Sequence, residues 1–312
     1  MIARTMYLPR RISRSEFLSL RGLRHHVRIW GELDAATPPI FMLHGWMDVG
    51  ASFQFVVDAL AHERPVIAPD WRGFGLTHAE NADNFWFPDY LADLDGLLDH
   101  YAPSQPVDIV GHSMGGNIAM LYAGARPARV RRLVNLEGFG MAATHPEQAP
   151  ARAARWMDEI KALHRGDKNL RTYAELADVA QRLMRTNPRL SQSKADWLAT
   201  HWAGQTRLPD GRTAWAILGH PAHRIVNAYL YRVEEAVAAY RQISAPVLAV
   251  EAVDGIAQTW KKRNIPDDFL SRLQAVPQLR HVKIEAAGHM LHHDQPEQIA
   301  ALIEEFAPPD RR

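Results

Sequence analysis

A serine stands at the centre of the stretch with the clearest chemical potential, Gly-His-Ser-Met-Gly at residues 111–115. A short run rich in β-branched residues (107–110) precedes it, and a helix-like apolar pattern begins at residue 117. The sequence therefore predicts a strand, a one-residue bend at Ser113 and a helix. Glycine two positions before and after the serine leaves room for this bend, and the helix N-terminus directs free N–H groups towards it. Because a serine hydroxyl is a poor nucleophile alone, the pattern indicates covalent catalysis only together with a base.

His289 is the expected base. It follows the small residues Ala-Ala-Gly at 286–288, just after the last predicted strand at 281–284. Small residues at this point leave room for a loop that carries the imidazole over Ser113. A neutral imidazole accepts the serine proton and later returns it to the leaving group, so this pairing predicts general acid–base catalysis.

The other histidines and the lack of cysteine bear on metals and cofactors. The chain has 16 histidines and no cysteine, which excludes disulfides, thiolate catalysis and cysteine-based metal sites. His292 and His293 are expected where the final helix starts, with Asp294 as its predicted N-cap. No carboxylate or second histidine stands at a spacing that a sheet end would unite into a ligand set, so neither a metal nor a cofactor is expected.

The length and charge of the chain limit its domain number and its expected partners. The chain has 312 residues, enough for one large α/β domain with an insertion or for two domains. Its 36 Lys and Arg residues balance 35 Asp and Glu residues, so a nucleic-acid partner is not expected. Residues 1–14 are basic but lack an apolar run of signal-peptide length, and no stretch is long enough to span a membrane. We therefore expect a cytoplasmic protein without a membrane span.

Strand-like apolar runs alternate with helix-like patterns on either side of a long middle segment. The runs lie at residues 40–43, 65–69, 107–110, 132–136, 246–250 and 281–284. From residue 140 to residue 240 the apolar residues instead follow helical spacing, with no clear buried strand. This alternation predicts an α/β fold with a mostly parallel, doubly wound sheet. Residues 1–139 and 241–312 would form this core, and residues 140–240 an inserted all-helical cap.

Four short motifs together resemble the α/β-hydrolase fold family, in its serine hydrolase or esterase branch with a helical cap. They are His-Gly-Trp at residues 44–46, Asp-Trp-Arg-Gly-Phe-Gly at 70–75, the serine motif at 111–115 and Ala-Gly-His at 287–289. Each follows a predicted strand, where open α/β sheets place their active sites. The resemblance covers nearly all of the chain outside the cap. It implies Ser113 as nucleophile and His289 as base, with an oxyanion hole formed by two backbone N–H groups, those of Trp46 and Met114.

The acid that completes the catalytic triad is where the sequence departs from the family. The usual position after the seventh strand of the family is occupied by Gly255, and the carboxylate of Asp254 arrives one residue early. A minority of the family carries the acid after the sixth strand, where this chain has Glu137. We assign the acid to Glu137, with Asp254 as the alternative. The other interpretations are a salt bridge at the cap hinge for Glu137 and a turn-capping role for Asp254.

The identity of the nucleophile narrows the reaction. The dehalogenases and epoxide hydrolases of the family use an aspartate where this chain has Ser113, so the serine favours acyl transfer. The expected function is hydrolysis of small or medium apolar carboxylic esters through an acyl-enzyme on Ser113. The alternatives are a C–C bond or amide hydrolase on the same scaffold, and a non-catalytic relative that binds a small hydrophobic ligand. The expected partner is a small-molecule ester, and the sequence leaves the oligomeric state open.

Overall fold

A computed structural model describes residues 7–34, 37–263 and 268–308. Residues 1–6 and 309–312 lie outside the described residues. The prediction that residues 1–14 carry no secretion signal therefore falls partly outside them. The strands are β1 (Ser13–Leu20), β2 (Leu23–Trp30), β3 (Ile40–Leu43), β4 (Val66–Pro69), β5 (Val107–His112), β6 (Val130–Leu136), β7 (Thr172–Tyr173), β8 (Ala203–Arg207), β9 (Thr213–Ile217), β10 (Val247–Asp254) and β11 (Leu279–Gly288). The helices are α1 (Gln54–Ala59), α2 (Phe87–Tyr101), α3 (Met114–Ala125), α4 (Ala149–His164), α5 (Leu176–Thr186), α6 (Gln192–Trp202), α7 (Val233–Arg241), α8 (Ile256–Lys262), α9 (Phe269–Leu273), α10 (Leu291–Asp294) and α11 (Pro296–Phe306). Within the described ranges, no helix combines the length and the apolar character that crossing a membrane requires.

Eight strands form one central sheet in the order β1-β2-β4-β3-β5-β6-β10-β11. The pairs from β4 to β11 are parallel, and β1–β2 and β2–β4 are antiparallel. The predicted mostly parallel sheet is therefore confirmed, with an antiparallel hairpin at one edge. The strands β3, β4 and β5 are buried throughout, as expected of parallel strands covered on both faces.

Helices cover both faces of the sheet, as a doubly wound fold requires. In β3, Phe41 and Leu43 pack against α2, α3 and α7, whereas Ile40 and Met42 point to the opposite face and pack against α1 and α11. Successive side chains of a strand alternate between its faces, so a continuous apolar run fills both layers. The runs that the sequence shows are thus explained by burial on two sides.

The carboxyl ends of the parallel strands meet along one edge of this sheet. The strands β4, β3, β5, β6, β10 and β11 are consecutive neighbours in the sheet. Their C-terminal residues lead directly into the motifs that the sequence singles out. The topology therefore brings residues from across the chain to one place, which is the usual position of a binding site in an open α/β sheet.

The segment between β6 and β10, called the cap below, contains strands as well as helices. The prediction of an all-helical cap is therefore wrong. The cap holds α4, α5, α6 and α7, but also a three-stranded antiparallel sheet in the order β7-β9-β8. The hairpin turns through Pro-Asp-Gly at residues 209–211, with Gly211 at φ 84°. Its strands, Ala-Gly-Gln-Thr-Arg and Thr-Ala-Trp-Ala-Ile, are only partly buried and lack the runs of large β-branched and aliphatic residues that reveal core strands.

The start of the final helix is also different from the prediction. The helix α11 begins at Pro296 as expected, but its N-cap residue is Gln295 and no side chain caps it. Asp294 ends α10 instead, and its carboxylate accepts hydrogen bonds from the backbone N–H of Gly288 (2.8 Å) and from the side chain of Asn187 (2.7 Å). An acidic residue before Pro296 is thus used for contacts between distant segments rather than for capping.

Candidate active site

Ser113 lies in a strained bend between β5 and α3. Its backbone has φ 51° and ψ −115°, a conformation that side-chain-bearing residues rarely adopt. The two flanking glycines are required, because a Cβ at Gly111 would lie 2.6 Å from the carbonyl oxygen of Gly115, and one at Gly115 would lie 2.1 Å from that of Leu43. The backbone N–H of Ser113 donates to the carbonyl of Leu136 at 2.8 Å, which ties the bend to β6. The predicted strand, bend and helix are all present.

His289 lies immediately after β11 and faces the serine. Its Nε2 is 3.0 Å from Oγ of Ser113, and its Nδ1 is 3.2 Å from Oε2 of Glu137. When Nδ1–H donates to the carboxylate, the lone pair of Nε2 is directed at the serine hydroxyl, which is the tautomer that a general base needs. The carbonyl of His289 also accepts a hydrogen bond from Nε2 of His112 at 2.7 Å. This bond ties the loop that carries His289 to the end of β5.

Glu137 is a buried carboxylate with a complete set of donors. Its side chain is fully buried at the end of β6, where its backbone has φ 61°. Oε1 accepts from the N–H of Ala252 at 2.8 Å, and Oε2 accepts from the N–H of Ile256 at 2.5 Å as well as facing His289. Three donors offset the cost of burying a charge and hold the carboxylate in one orientation.

Gly255 provides the space that the Glu137 carboxylate occupies. A Cβ at this position would lie 2.3 Å from Oε2 and 2.4 Å from Oε1 of Glu137. The turn that follows Glu137 is fixed by Asn135, whose side chain both donates to the carbonyl of Gly138 (2.7 Å) and accepts from its N–H (2.9 Å). The carboxylate of Glu137 after β6 thus requires the glycine after β10, because any side chain at position 255 would occupy the same space.

Asp254, the alternative acid, contacts the cap instead of His289. Its Oδ2 accepts a hydrogen bond from Nη2 of Arg189 at 2.5 Å, and both side chains are partly exposed. The pairing between β10 and β11 shifts register between Ala252 and Asp254, so the regular ladder is interrupted where Asp254 lies. The structure brings Glu137, and not Asp254, to the histidine. The salt bridge to the cap that was considered for Glu137 is made by Asp254.

The two backbone groups expected to form the oxyanion hole lie on either side of the serine bend. Trp46 follows the end of β3, and Met114 is the first residue of α3. Among the described residues, neither N–H donates to a protein acceptor. Gly45 brings the β3 end close to the nucleophile, since a Cβ there would lie 3.2 Å from Cβ of Ser113. The indole of Trp46 is half exposed and donates to the carbonyl of His223 in the cap at 3.3 Å.

A buried polar cluster beneath these residues is not anticipated by the sequence. Asp48, His112 and His292 each offer a ligand atom, and these atoms all lie within 4.8 Å of one another. The expectation that the sheet ends unite no such set is therefore wrong. Burial raises the pKa of Asp48 to about 6 and lowers the pKa values of His112 and His292 well below their usual range. The sequence does contain a signal for this cluster, because each residue lies in or near a motif that follows a strand. Asp48 is two residues after the motif at 44–46, His112 is within the motif at 111–115, and His292 is three residues after the motif at 287–289.

Comparisons with known proteins support the family that the motifs resemble. Residues 38–296 match the sequence profile of the family described as alpha/beta hydrolase fold. A serine hydrolase-like protein of Danio rerio is 25% identical over 290 residues, which cover 90% of this chain and 86% of the relative. A 2-hydroxy-6-oxo-2,4-heptadienoate hydrolase of Pseudomonas putida is 35% identical over 106 residues, or 33% of this chain and 38% of that protein.

Among solved structures, the thioesterase domain from the curacin biosynthetic pathway superposes with a TM-score of 0.79 at 24% identity, covering 94% of this chain and 99% of that domain. At this level of identity the likeness shows the fold alone. The profile match spans most of the chain, from before β3 to the start of α11. Together with the sheet order, it shows that this chain belongs to the alpha/beta hydrolase fold family.

Proposed function

We propose that this protein is a serine hydrolase that cleaves small or medium apolar carboxylic esters through an acyl-enzyme on Ser113. The observation that carries the proposal is the continuous chain of contacts from Glu137 to His289 to Ser113, at 3.2 and 3.0 Å. The backbone N–H groups of Trp46 and Met114, next to Gly45 and Ser113, have no protein acceptor within the described part of the chain. Together they supply a nucleophile, a base, an orienting carboxylate and donors for an oxyanion.

The acylation step begins with attack of Oγ of Ser113 on the ester carbonyl carbon. As the new C–O bond forms, His289 takes the hydroxyl proton on Nε2, and the carbonyl oxygen becomes an oxyanion that accepts hydrogen bonds from the N–H groups of Trp46 and Met114. The tetrahedral intermediate then expels the alcohol oxygen, which receives the proton from His289. The serine now carries the acyl group as an ester.

Deacylation repeats these steps with water as the nucleophile. His289 removes a proton from the water as the oxygen attacks the acyl carbon, and returns it to Oγ of Ser113 when the acid product leaves. Glu137 stays ionised throughout and stabilises the imidazolium that forms twice in each cycle. Its role is thus electrostatic and orienting, and it accepts no proton.

The apolar substrate class is supported by the residues next to the nucleophile. Met114 follows Ser113, and Trp46 and Met47 follow the end of β3. The indole of Trp46 is 54% exposed and reaches the cap, so it offers an apolar surface beside the oxyanion donors. An ester with an apolar acyl or alcohol group would bury part of this surface on binding.

A second candidate is hydrolysis of a C–C bond on the same machinery. The named activity of the Pseudomonas putida relative, a 2-hydroxy-6-oxo-2,4-heptadienoate hydrolase, supports it over the matched third of the chain. Amide cleavage is the remaining variant, since it needs the same nucleophile and base. A non-catalytic binding protein would have no need of the strained Ser113 backbone or of a buried, fully bonded Glu137.

The decisive experiment combines active-site labelling with a substrate panel. A fluorophosphonate probe should label the wild-type protein and not Ser113→Ala, and a folded wild-type protein that resists the probe would contradict the serine hydrolase proposal. The panel contains p-nitrophenyl esters of increasing acyl length, a matched amide and a vinylogous diketone. Highest kcat/KM on an ester supports ester hydrolysis, whereas turnover of the diketone alone would replace it by C–C hydrolysis.

A further inference from the structure

Three side chains that the proposed reaction does not use converge beneath the serine and histidine. Asp48 follows the end of β3, His112 ends β5, and His292 lies in α10 just after β11. All three are buried, with 3%, 2% and 0% of their surface exposed. One potential ligand atom of each lies within 4.8 Å of the other two, and Nε2 of His292 is 3.9 Å from Oδ2 of Asp48.

Each of these residues has a buried polar atom without a hydrogen-bond partner. Over the residues that the structure describes, the atoms are Oδ2 of Asp48, Nδ1 of His112 and Nδ1 of His292. The other ring nitrogen of His292, Nε2, is the one near the Asp48 carboxylate, and it also contacts Oγ of Ser52 at 3.4 Å. Folded proteins pair nearly all buried polar atoms, because an unpaired one loses its hydration without compensation. Oδ2 of Asp48 lies 3.9 Å from Nε2 of His292, too far for a hydrogen bond, and Nδ1 of His112 is unpaired as well. An occupant that accepts lone pairs and carries positive charge would satisfy the carboxylate and the imidazoles together.

The surroundings of His112 and Asp48 already have the form that metal ligands require. Nε2–H of His112 donates to the carbonyl of His289 at 2.7 Å, which fixes the tautomer and leaves the lone pair of Nδ1 free. Oδ1 of Asp48 accepts from the N–H of Val49 and from Nε1 of Trp202, both at 2.9 Å, which leaves Oδ2 free. Metal-binding histidines and carboxylates are oriented by outer hydrogen bonds of this kind.

We propose that Asp48, His112 and His292 form a binding site for a divalent first-row transition-metal ion such as Zn²⁺ or Co²⁺. Two imidazole nitrogens and one carboxylate oxygen suit these ions, whereas Ca²⁺ and Mg²⁺ prefer sets made of oxygen alone. Three protein ligands match the number in zinc sites that keep a fourth position for another ligand. This proposal does not rest on the proposed ester hydrolysis, since the occupancy of the site is measured without any substrate.

The site also has a structural link to the reacting groups. His112 directly precedes Ser113 and holds the carbonyl of His289. An ion on Nδ1 makes the opposite N–H of the same ring a stronger donor, which tightens the loop that carries His289. Because the ion binds the folded chain and the unfolded chain lacks the assembled site, saturating Zn²⁺ should raise Tm by several degrees.

The test is a Co²⁺ titration of the full chain after removal of metals with EDTA. We expect visible d–d absorption that saturates at one ion per chain and is abolished when Zn²⁺ is added. Asp48→Asn is the sharpest variant, since it keeps the Oδ1 acceptor for Val49 and Trp202 and changes only the unpaired oxygen. It and His292→Gln should lose the absorption and the Tm shift. His100→Gln, on an exposed position of α2, should retain both.

Two results would overturn the proposal. One is the absence of saturable Co²⁺ absorption in the wild-type protein, and the other is equal binding by folded Asp48→Asn, which would assign the ion to surface histidines. If both variants fail to fold, long-range ¹⁵N–¹H spectra of the wild-type histidine rings decide. Shifts at two buried imidazoles on Zn²⁺ addition support the site, and shifts confined to exposed rings overturn it.

Discussion

Two carboxylates at the ends of neighbouring strands have opposite surroundings. Glu137 after β6 is fully buried and has two backbone donors as well as His289. Asp254 at the end of β10 is about half exposed and pairs with Arg189 of the cap. Both satisfy the chain order of serine, acid and histidine, so order along the chain does not distinguish them. The difference teaches that what favours Glu137 as the proposed acid is the set of donors around it and the space that Gly255 leaves for it.

The largest effect expected from this comparison is on the buried acid. Glu137→Gln keeps the shape but removes the charge that stabilises the imidazolium, and kcat should fall about a thousandfold, or about 4 kcal/mol in activation free energy. Asp254→Asn, the matched control, should change kcat less than about threefold. Steady-state kinetics on the best ester of the panel give both values, and the reverse ranking would assign the acid to Asp254.

An exchange of positions sharpens the comparison further. Glu137→Gly suits the positive φ at this position and empties the space next to Gly255, so activity should fall as in the glutamine variant. Adding Gly255→Asp places a carboxylate at the usual family position, and kcat should recover at least about tenfold over the single variant. No recovery in a folded double variant would show that the donors of Ala252 and Ile256 cannot serve an acid from β10.

Stability in acid should depend on two histidines that lie apart from both carboxylates. Burial lowers the pKa of His44 to about 4 and that of His223 to about 3, whereas both rise to about 6.5 on unfolding. The unfolded chain then binds more protons, so stability is full above pH 6.5 and falls as the pH drops towards 4. Each such histidine contributes about 1.4 kcal/mol per pH unit in that range.

Urea unfolding at pH 7 and pH 5.5 measures this loss. The decrease should be the same in Asp254→Asn, because the Asp254 side chain is about half exposed. His223→Phe, placed between the stacked rings of Phe74 and Phe85, should reduce the decrease. An unfolding free energy that stays constant over this range would contradict the buried neutral histidines.

The smallest effect is expected at the exposed pair. Arg189→Ala removes the ion pair with Asp254, and exposed pairs contribute less than about 1 kcal/mol to the free energy of unfolding. Arg155→Ala, which breaks a surface pair with Glu159 within α4, is the matched control. If Arg189→Ala lowers kcat/KM by more than about tenfold while the control does not, the Asp254 side of the comparison has a functional role after all.

The parts of the site that lie within one motif were predictable from the sequence. The glycines around Ser113 favour a local backbone conformation, and the small residues before His289 favour a loop. Both features depend on residues that are adjacent in the sequence, so they can be predicted from it. The central sheet could be predicted from its continuous apolar runs. Strands that are buried on both faces have apolar residues at successive positions instead of alternating polar and apolar ones. Glu137 required knowledge of a family variant, and its reason became visible only with the Gly255 contact.

What the sequence did not predict depends on contacts between distant segments. The strands β8 and β9 are short and only partly buried, so they carry no apolar run that would distinguish them from the helical segments around them. The cluster of Asp48, His112 and His292 forms only when three strand ends meet. The pairing of Asp294 with Asn187 crosses 107 positions of the chain, and no local rule distinguishes it from an N-cap.

Asp294 divides one carboxylate between two parts of the molecule. One oxygen holds Asn187 of the cap, and the other holds the N–H of Gly288, the residue before His289. A change in the position of the cap would therefore reach the backbone next to His289 through a single side chain. In mechanical terms, the cap and the loop of His289 share one short link, so under the proposed function the position of the base would depend on a region that need not touch the substrate.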